Sequence, residues 1–166
     1  MARIPDMKGL NSRMLAAPAA DEWLMGEMFP RMPSDAVFAI DAKLGNNSQP
    51  DDALMYLRLN VTRWRVDSFV ALAWNEVLKM DLSSGRLPLL RGEDDSFIGV
   101  DTTVAKGERG HLARWKGENV TSLPFDTWES FYSDCVARLE AGAVARDPLR
   151  ITAGMDVGER TDSPAT

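Results

Sequence analysis

The sequence predicts a single α+β domain: a small, mostly antiparallel sheet with helices packed on one face. Three observations predict it. Segments whose apolar residues recur every three to four positions alternate with short segments of period two. The strand candidates in the second half are separated by short polar turns, which suits hairpins rather than long crossovers. The last periodic segment carries the broadest apolar stripe, which needs a sheet to cover it.

The 166 residues are enough for one core without disulfides or a structural metal, because at this size folding buries roughly 70% of the surface exposed by the unfolded chain. Residues 1–19 mix Pro, Gly, Ala and Met without a period, and residues 145–166 mix Pro, Gly, Thr and charge. Both are expected to be flexible tails around a body spanning residues 20–144.

The first expected element is a helix from about Asp21, with Trp23, Leu24, Glu27 and Met28 in register before Pro30 stops it. A second helix follows from Ser34, an N-cap candidate, with Val37, Phe38, Ile40 and Leu44 as its buried stripe and Gly45-Asn46 as its stop. Residues 55–62 alternate, with Met55, Leu57, Leu59 and Val61 on one face and Tyr56, Arg58, Asn60 and Thr62 on the other. The period favours a strand, although Pro50-Asp51-Asp52 could also open a helix. From Asp67 to Lys79, the spacing of Phe69, Val70, Ala73, Val77 and Leu78 predicts a helix closed by Ser83-Ser84-Gly85. Three strands are expected at Leu87–Leu90, Ser96–Asp101 and His111–Lys116, parted by the turn Gly92-Glu93-Asp94-Asp95 and by the loop at residues 106–110. The closing helix opens on Asp126 and Glu129 as a capping-box variant and buries Trp128, Phe131, Tyr132, Cys135, Val136 and Leu139.

The formal net charge of -6, from 19 basic and 25 acidic residues, argues against a nucleic-acid binder and favours basic partners, although acidity also serves solubility. The single Cys135 and single His111 cannot supply an internal disulfide or a zinc site. No continuous apolar leader or membrane-length apolar run occurs, so a soluble, cytoplasmic protein with no membrane contact is expected. The motifs of nucleophile elbows, phosphate loops, dinucleotide folds, zinc proteases and calcium loops are missing, and no cofactor, metal or catalytic residue is assigned. His111 is expected as a polar strand-edge residue and Cys135 as a small buried hydrophobe.

The candidate binding residues are carboxylates and aromatics. Glu93, Asp94 and Asp95, with Asp101 nearby, read as a solvated turn, a partner-facing patch or an oxygen-ligand cluster, although they lack the ordered spacing of a calcium loop. Asp51 and Asp52 add a second acidic pair. If the alternation of residues 55–62 continues, Trp64 shares a polar face with Tyr56 and Arg58, three residue types enriched at interaction hot spots. The other reading ends the strand earlier and tucks Trp64 under the next helix. Trp23 and Trp128 fall on helix stripes as core, whereas pattern assigns neither Trp74 nor Trp115.

The order of these pieces resembles the SUKH superfamily, which includes fungal cell-wall assembly regulators and bacterial immunity proteins of polymorphic toxin systems. The carrying passages are the helix around Trp23 leading to Met32-Pro33-Ser34-Asp35, Val37-Phe38 and Gly45-Asn46-Asn47, and the stretch from Trp64 to Asn75. Further passages are Leu87-Pro88-Leu89-Leu90 with Gly92, Asp94-Asp95 and Phe97-Ile98-Gly99-Val100-Asp101, then His111 to Trp115, then Leu123-Pro124-Phe125-Asp126 with Trp128-Glu129-Ser130-Phe131. Together they span roughly residues 20–142. Ala36 stands where the family has an aromatic, Met32 replaces its Leu, and Glu93-Asp94-Asp95 lacks its paired glycines. The resemblance implies a non-enzymatic immunity protein that binds and neutralises a cognate, basic toxin domain such as a nuclease, and it carries over no active site. The alternative is an acidic inhibitor from a mobile element, acting on a host nucleic-acid-binding complex. That reading wants acid spread along one face, whereas here it clusters in short turns.

Overall fold

The computed structural model describes residues 7–18, 24–45, 51–66 and 68–141. Seven strands form one sheet in chain order: β1 (Leu24–Met28), β2 (Thr62–Val66), β3 (Phe69–Ala71), β4 (Arg86–Gly92), β5 (Phe97–Asp101), β6 (Leu112–Lys116) and β7 (Asn119–Ser122). Each pairs antiparallel with the next. The described residues also form α1 (Met7–Ala16), α2 (Ser34–Leu44), α3 (Asp51–Leu59), α4 (Trp74–Leu78) and α5 (Trp128–Glu140). The protein has the expected mixed α+β architecture around an antiparallel sheet.

Cross-strand register sorts the side chains onto two faces. Val66 pairs with Phe69, Ala71 with Leu90, Leu90 with Ile98, and Val100 with Leu87 and Leu112. All are buried in one core with Trp64, and α1, α3 and α5 supply Met14, Tyr56 and Tyr132 to it. Helix α1 packs against both α3 and α5.

The second half follows the sequence closely. Strands β4, β5 and β6 fall where they are expected, and the turn between β4 and β5 holds Glu93-Asp94-Asp95. On α5 the whole expected stripe is buried, but the cap lies one residue later than Asp126: Thr127 Oγ1 accepts the Ser130 N–H at 3.1 Å, and Ser130 Oγ accepts the Thr127 N–H at 3.2 Å. Helix α2 starts at Ser34 and ends at Gly45 (φ 82°), a left-handed cap that glycine adopts without strain. Its Ile40 and Leu44 are buried, but Phe38 is 73% exposed.

The first half departs from expectation in four places. Residues 1–19 are not all tail, because α1 buries Met7, Leu10 and Met14. The helix expected from Asp21 is instead strand β1 over its described part, where Gly26 at φ 81° breaks any helix and Leu24 pairs with Trp64. Residues 55–62 are mostly helix α3, because Ala53, Leu54, Tyr56 and Leu57 bury a helical face and Arg58 alone is exposed between residues 52 and 60. The helix expected over residues 67–79 divides into β3 and the short α4; in the second half, β7 is a strand that the sequence pattern does not predict. Trp23, Asp67 and residues 145–166 lie outside the described residues.

Strand β4 carries a bulge between Pro88 and Leu90, where proline's missing N–H is tolerated. Opposite it, Gly99 lets the strands approach so closely that a Cβ there would lie 2.0 Å from the Leu87 carbonyl oxygen and 3.0 Å from Pro88 Cα. Both obstacles are backbone, so neither can turn aside. Gly99→Ala is expected to cost about 3 kcal/mol, read as a lower urea midpoint. A midpoint within about 0.2 M of the parent would show that the two strands yield easily.

Candidate functional site

The residues expected to bind a partner do not form one surface. Trp64 and Tyr56 are both fully buried, and the Trp64 indole N–H donates to the Tyr56 hydroxyl at 2.7 Å. Tyr56 lies 4.9 Å from the Trp128 ring and 5.0 Å from that of Tyr132, and Trp64 lies 5.5 Å from Tyr132. This aromatic cluster is core, so neither residue can touch a partner in the folded protein. Burial pushes the Tyr56 phenol well above its ordinary value.

Asp52 is also buried rather than presented to a partner. Its Oδ2 accepts the Glu129 N–H at 2.8 Å and its Oδ1 accepts the Ala53 N–H at 2.8 Å, so one carboxylate serves the first turns of both α3 and α5. Asp51 opens α3, and its side chain lies outside the described residues. Arg58 is exposed and donates to Ser34 Oγ at 3.4 Å.

The acidic turn does reach solvent, but Asp94 and Asp95 have partners. Arg91 donates to Asp95 at 3.0 Å, and Arg114 lies 3.9 Å from Asp94. Asp94 Oδ1 accepts both the Ser96 hydroxyl at 2.5 Å and the Ser96 N–H at 3.1 Å, which holds its carboxyl below the usual range. Asp95 adopts φ 67° to close the turn, and Glu93 is exposed. Among the described residues, no three His, Cys, Asp or Glu side chains are grouped to hold a metal ion.

The other reactive side chains are interior. His111 is buried, with Nδ1 3.0 Å from the Val104 carbonyl and Nε2 without a hydrogen-bond partner among the described residues. Cys135 is buried on α5, and burial raises its thiol far above the ordinary value.

What the fold does bring together lies on the face of the sheet opposite Trp64. Arg65 pairs with Val70, Val70 with Arg91, Arg91 with Phe97, Phe97 with Trp115, and Trp115 with Val120. Directly paired residues of antiparallel strands project to the same side, so these six form one row across β2 to β7. Arg65, Arg91 and Val120 are exposed, Val70 and Phe97 are half-buried, and Trp115 is 8% exposed. The Phe97 and Trp115 ring centroids are 6.1 Å apart, and the Arg86 guanidinium lies 5.5 Å from the Trp115 centroid. Sequence reasoning passed over these residues. The turn at Gly92–Ser96 implies that Arg91 faces Phe97, but Trp115 joins them only once the β5–β6 register is known.

No protein-family model matches the chain, and neither a curated protein nor a solved structure matches it. Among the described residues, no helix is long and apolar enough to cross a membrane.

Proposed function

We propose that the protein is a non-catalytic binding protein that neutralises a cognate toxin domain by covering it with the second face of its sheet, an immunity role of the kind its motif order resembles. The observation that supports this reading is the row Arg65–Val70–Arg91–Phe97–Trp115–Val120. It alternates cations with apolar and aromatic groups, and arginine and aromatics are enriched where proteins meet. The net charge of -6 acts at longer range, steering a basic toxin toward the protein before contact. The acidic turn contributes less than its sequence implies, because Arg91 and Arg114 offset Asp95 and Asp94.

Co-expression with a toxin domain captured as the binding partner of this chain tests the role. The expected result is restored growth and a one-to-one complex. The double variant Arg65→Glu, Val120→Asp alters the two ends of the row, and it should bind about a hundredfold more weakly with an unchanged unfolding midpoint. Neutralisation of the toxin by the double variant at parental strength would overturn the assignment of the face.

A further inference from the structure

Toward β6 the same face deepens into a cleft of about 360 Å³ between β4, β5 and the segment after α4, with Arg86, Arg91, Phe97 and Trp115 on its wall and Met80 at its rim. That volume accommodates one or two side chains. Within it Arg86 is unusual. Among the described residues its Nε is shielded from solvent without an acceptor, and its close neighbour is the Trp115 ring rather than an anion. The cross-strand neighbour of Arg86, Asp101, turns its carboxylate to the Thr103 N–H at 3.0 Å and hydroxyl at 2.5 Å instead. A half-buried guanidinium that lies over an aromatic ring, with no acceptor for its Nε among the described residues, leaves its terminal nitrogens open to a planar anion. The second cation, Arg91, pairs among the described residues with exposed Asp95 at 3.0 Å, a pair that solvent already weakens.

We propose that this cleft seats a carboxylate-bearing segment of the partner protein, with the Arg86 guanidinium receiving the carboxylate and Phe97 and Trp115 flooring the neighbouring apolar side chain. The inference rests on the reading of this face as partner-binding and adds the chemistry that the partner must bring. The fork of a guanidinium matches the two oxygens of a carboxylate. A doubly charged phosphate suits the cleft less well, because Asp81 lines it and the whole chain is at -6. A basic toxin surface carrying an acidic residue beside an aromatic one meets both the long-range and the local requirement.

The test is a titration of the full-length ¹⁵N-labelled chain, followed at the Arg86 Nε–H and Trp115 indole N–H resonances, with the blocked dipeptide acetyl-Glu-Phe-amide. Acetyl-Gln-Phe-amide and acetyl-phosphoserine-Phe-amide are titrated in parallel. The Glu peptide should move both resonances saturably at millimolar concentration, and the Gln peptide should bind about tenfold more weakly. Arg86→Gln should lose about tenfold for the Glu peptide while the remaining resonances keep their positions, and Arg86→Lys, which keeps the charge without the fork, should recover only part of that. Equal binding of the Glu and Gln peptides, tighter binding of the phosphopeptide, or an Arg86 Nε–H that does not move would each overturn the proposal. The titration contains no toxin, so the two readings fail separately. Peptide binding at Arg86 without toxin neutralisation rejects the immunity role and keeps the cleft. Neutralisation unaffected by Arg86→Gln rejects the cleft and keeps the role.

Discussion

A chain lacking residues 1–17 is expected to unfold, or to survive with most of its stability gone. Helix α1 places Met7, Leu10 and Met14 in the core at 0%, 5% and 2% exposure. Burying a side chain of that size contributes about 1.5–3 kcal/mol, so the three together contribute roughly 4.5–9 kcal/mol. A domain of this kind has only about 5–15 kcal/mol in total. Polar contacts fail at the same time. The Tyr132 hydroxyl, which donates to Asn11 Oδ1 and lies 3.9 Å from Met14 Sδ, would face an empty groove between α3 and α5. The fork from Arg13 to Glu140, at 2.9 and 2.6 Å, adds little because both side chains are substantially exposed. Urea unfolding of the truncated and full-length chains is the measurement. Single Leu10→Ala and Met14→Ala variants should each lose about 2–4 kcal/mol. A truncated chain with the parental midpoint and cooperativity would show that α1 docks without contributing to stability.

The signal for α1 was present in the sequence, since Met7, Leu10, Met14 and Ala17 recur at three- and four-residue intervals. The small and flexible residues around them masked it. Where turns and period agree, as over β4 to β6 and along the apolar stripe of α5, local reading is reliable, because the Glu93–Asp95 turn and the spacing of Trp128, Phe131, Cys135 and Leu139 are set by nearby residues. The first half fails where two periods fit the same letters. Residues 55–62 alternate, yet Tyr56 and Leu57 also continue the helical face that Ala53 and Leu54 begin. Gly26 was the discriminating residue for β1, because a left-handed φ has no place within a helix. The error over α3 also misplaced the candidate site. A strand counted from residue 55 puts Trp64 beside Tyr56 and Arg58 on a polar face, whereas the actual strand begins at Thr62 and turns Trp64 inward. The arginine–aromatic row was hidden for a different reason. Its members come from six strands, and only the assembled register joins them.

Replacing Trp64 is expected to damage the fold and not a binding surface. Trp64→Ala removes a fully buried indole from the cluster with Tyr132 and should cost about 3–5 kcal/mol. Trp64→Phe keeps much of the ring contact but leaves the Tyr56 hydroxyl without its donor, and Tyr56→Phe does the reverse to the indole N–H. Each should cost about 1–3 kcal/mol, and the double variant should cost less than their sum, because the 2.7 Å bond is lost once. pH provides an independent check. Burial raises Tyr56, so the unfolded chain releases this proton near the ordinary value of about 10 while the folded chain keeps it. The unfolded state then binds fewer protons, and Tyr56's share of stability, complete below pH 10, falls by about 1.4 kcal/mol for each further pH unit. Tyr56→Phe removes that share of the alkaline loss. Its deficit relative to the parent, measured by urea unfolding at pH 8 and again at pH 11, should therefore shrink by about 1.4 kcal/mol. The same deficit at both values would mean that the phenol titrates alike in the folded and unfolded chains, and Trp64 and Tyr56 would then have to be open to solvent.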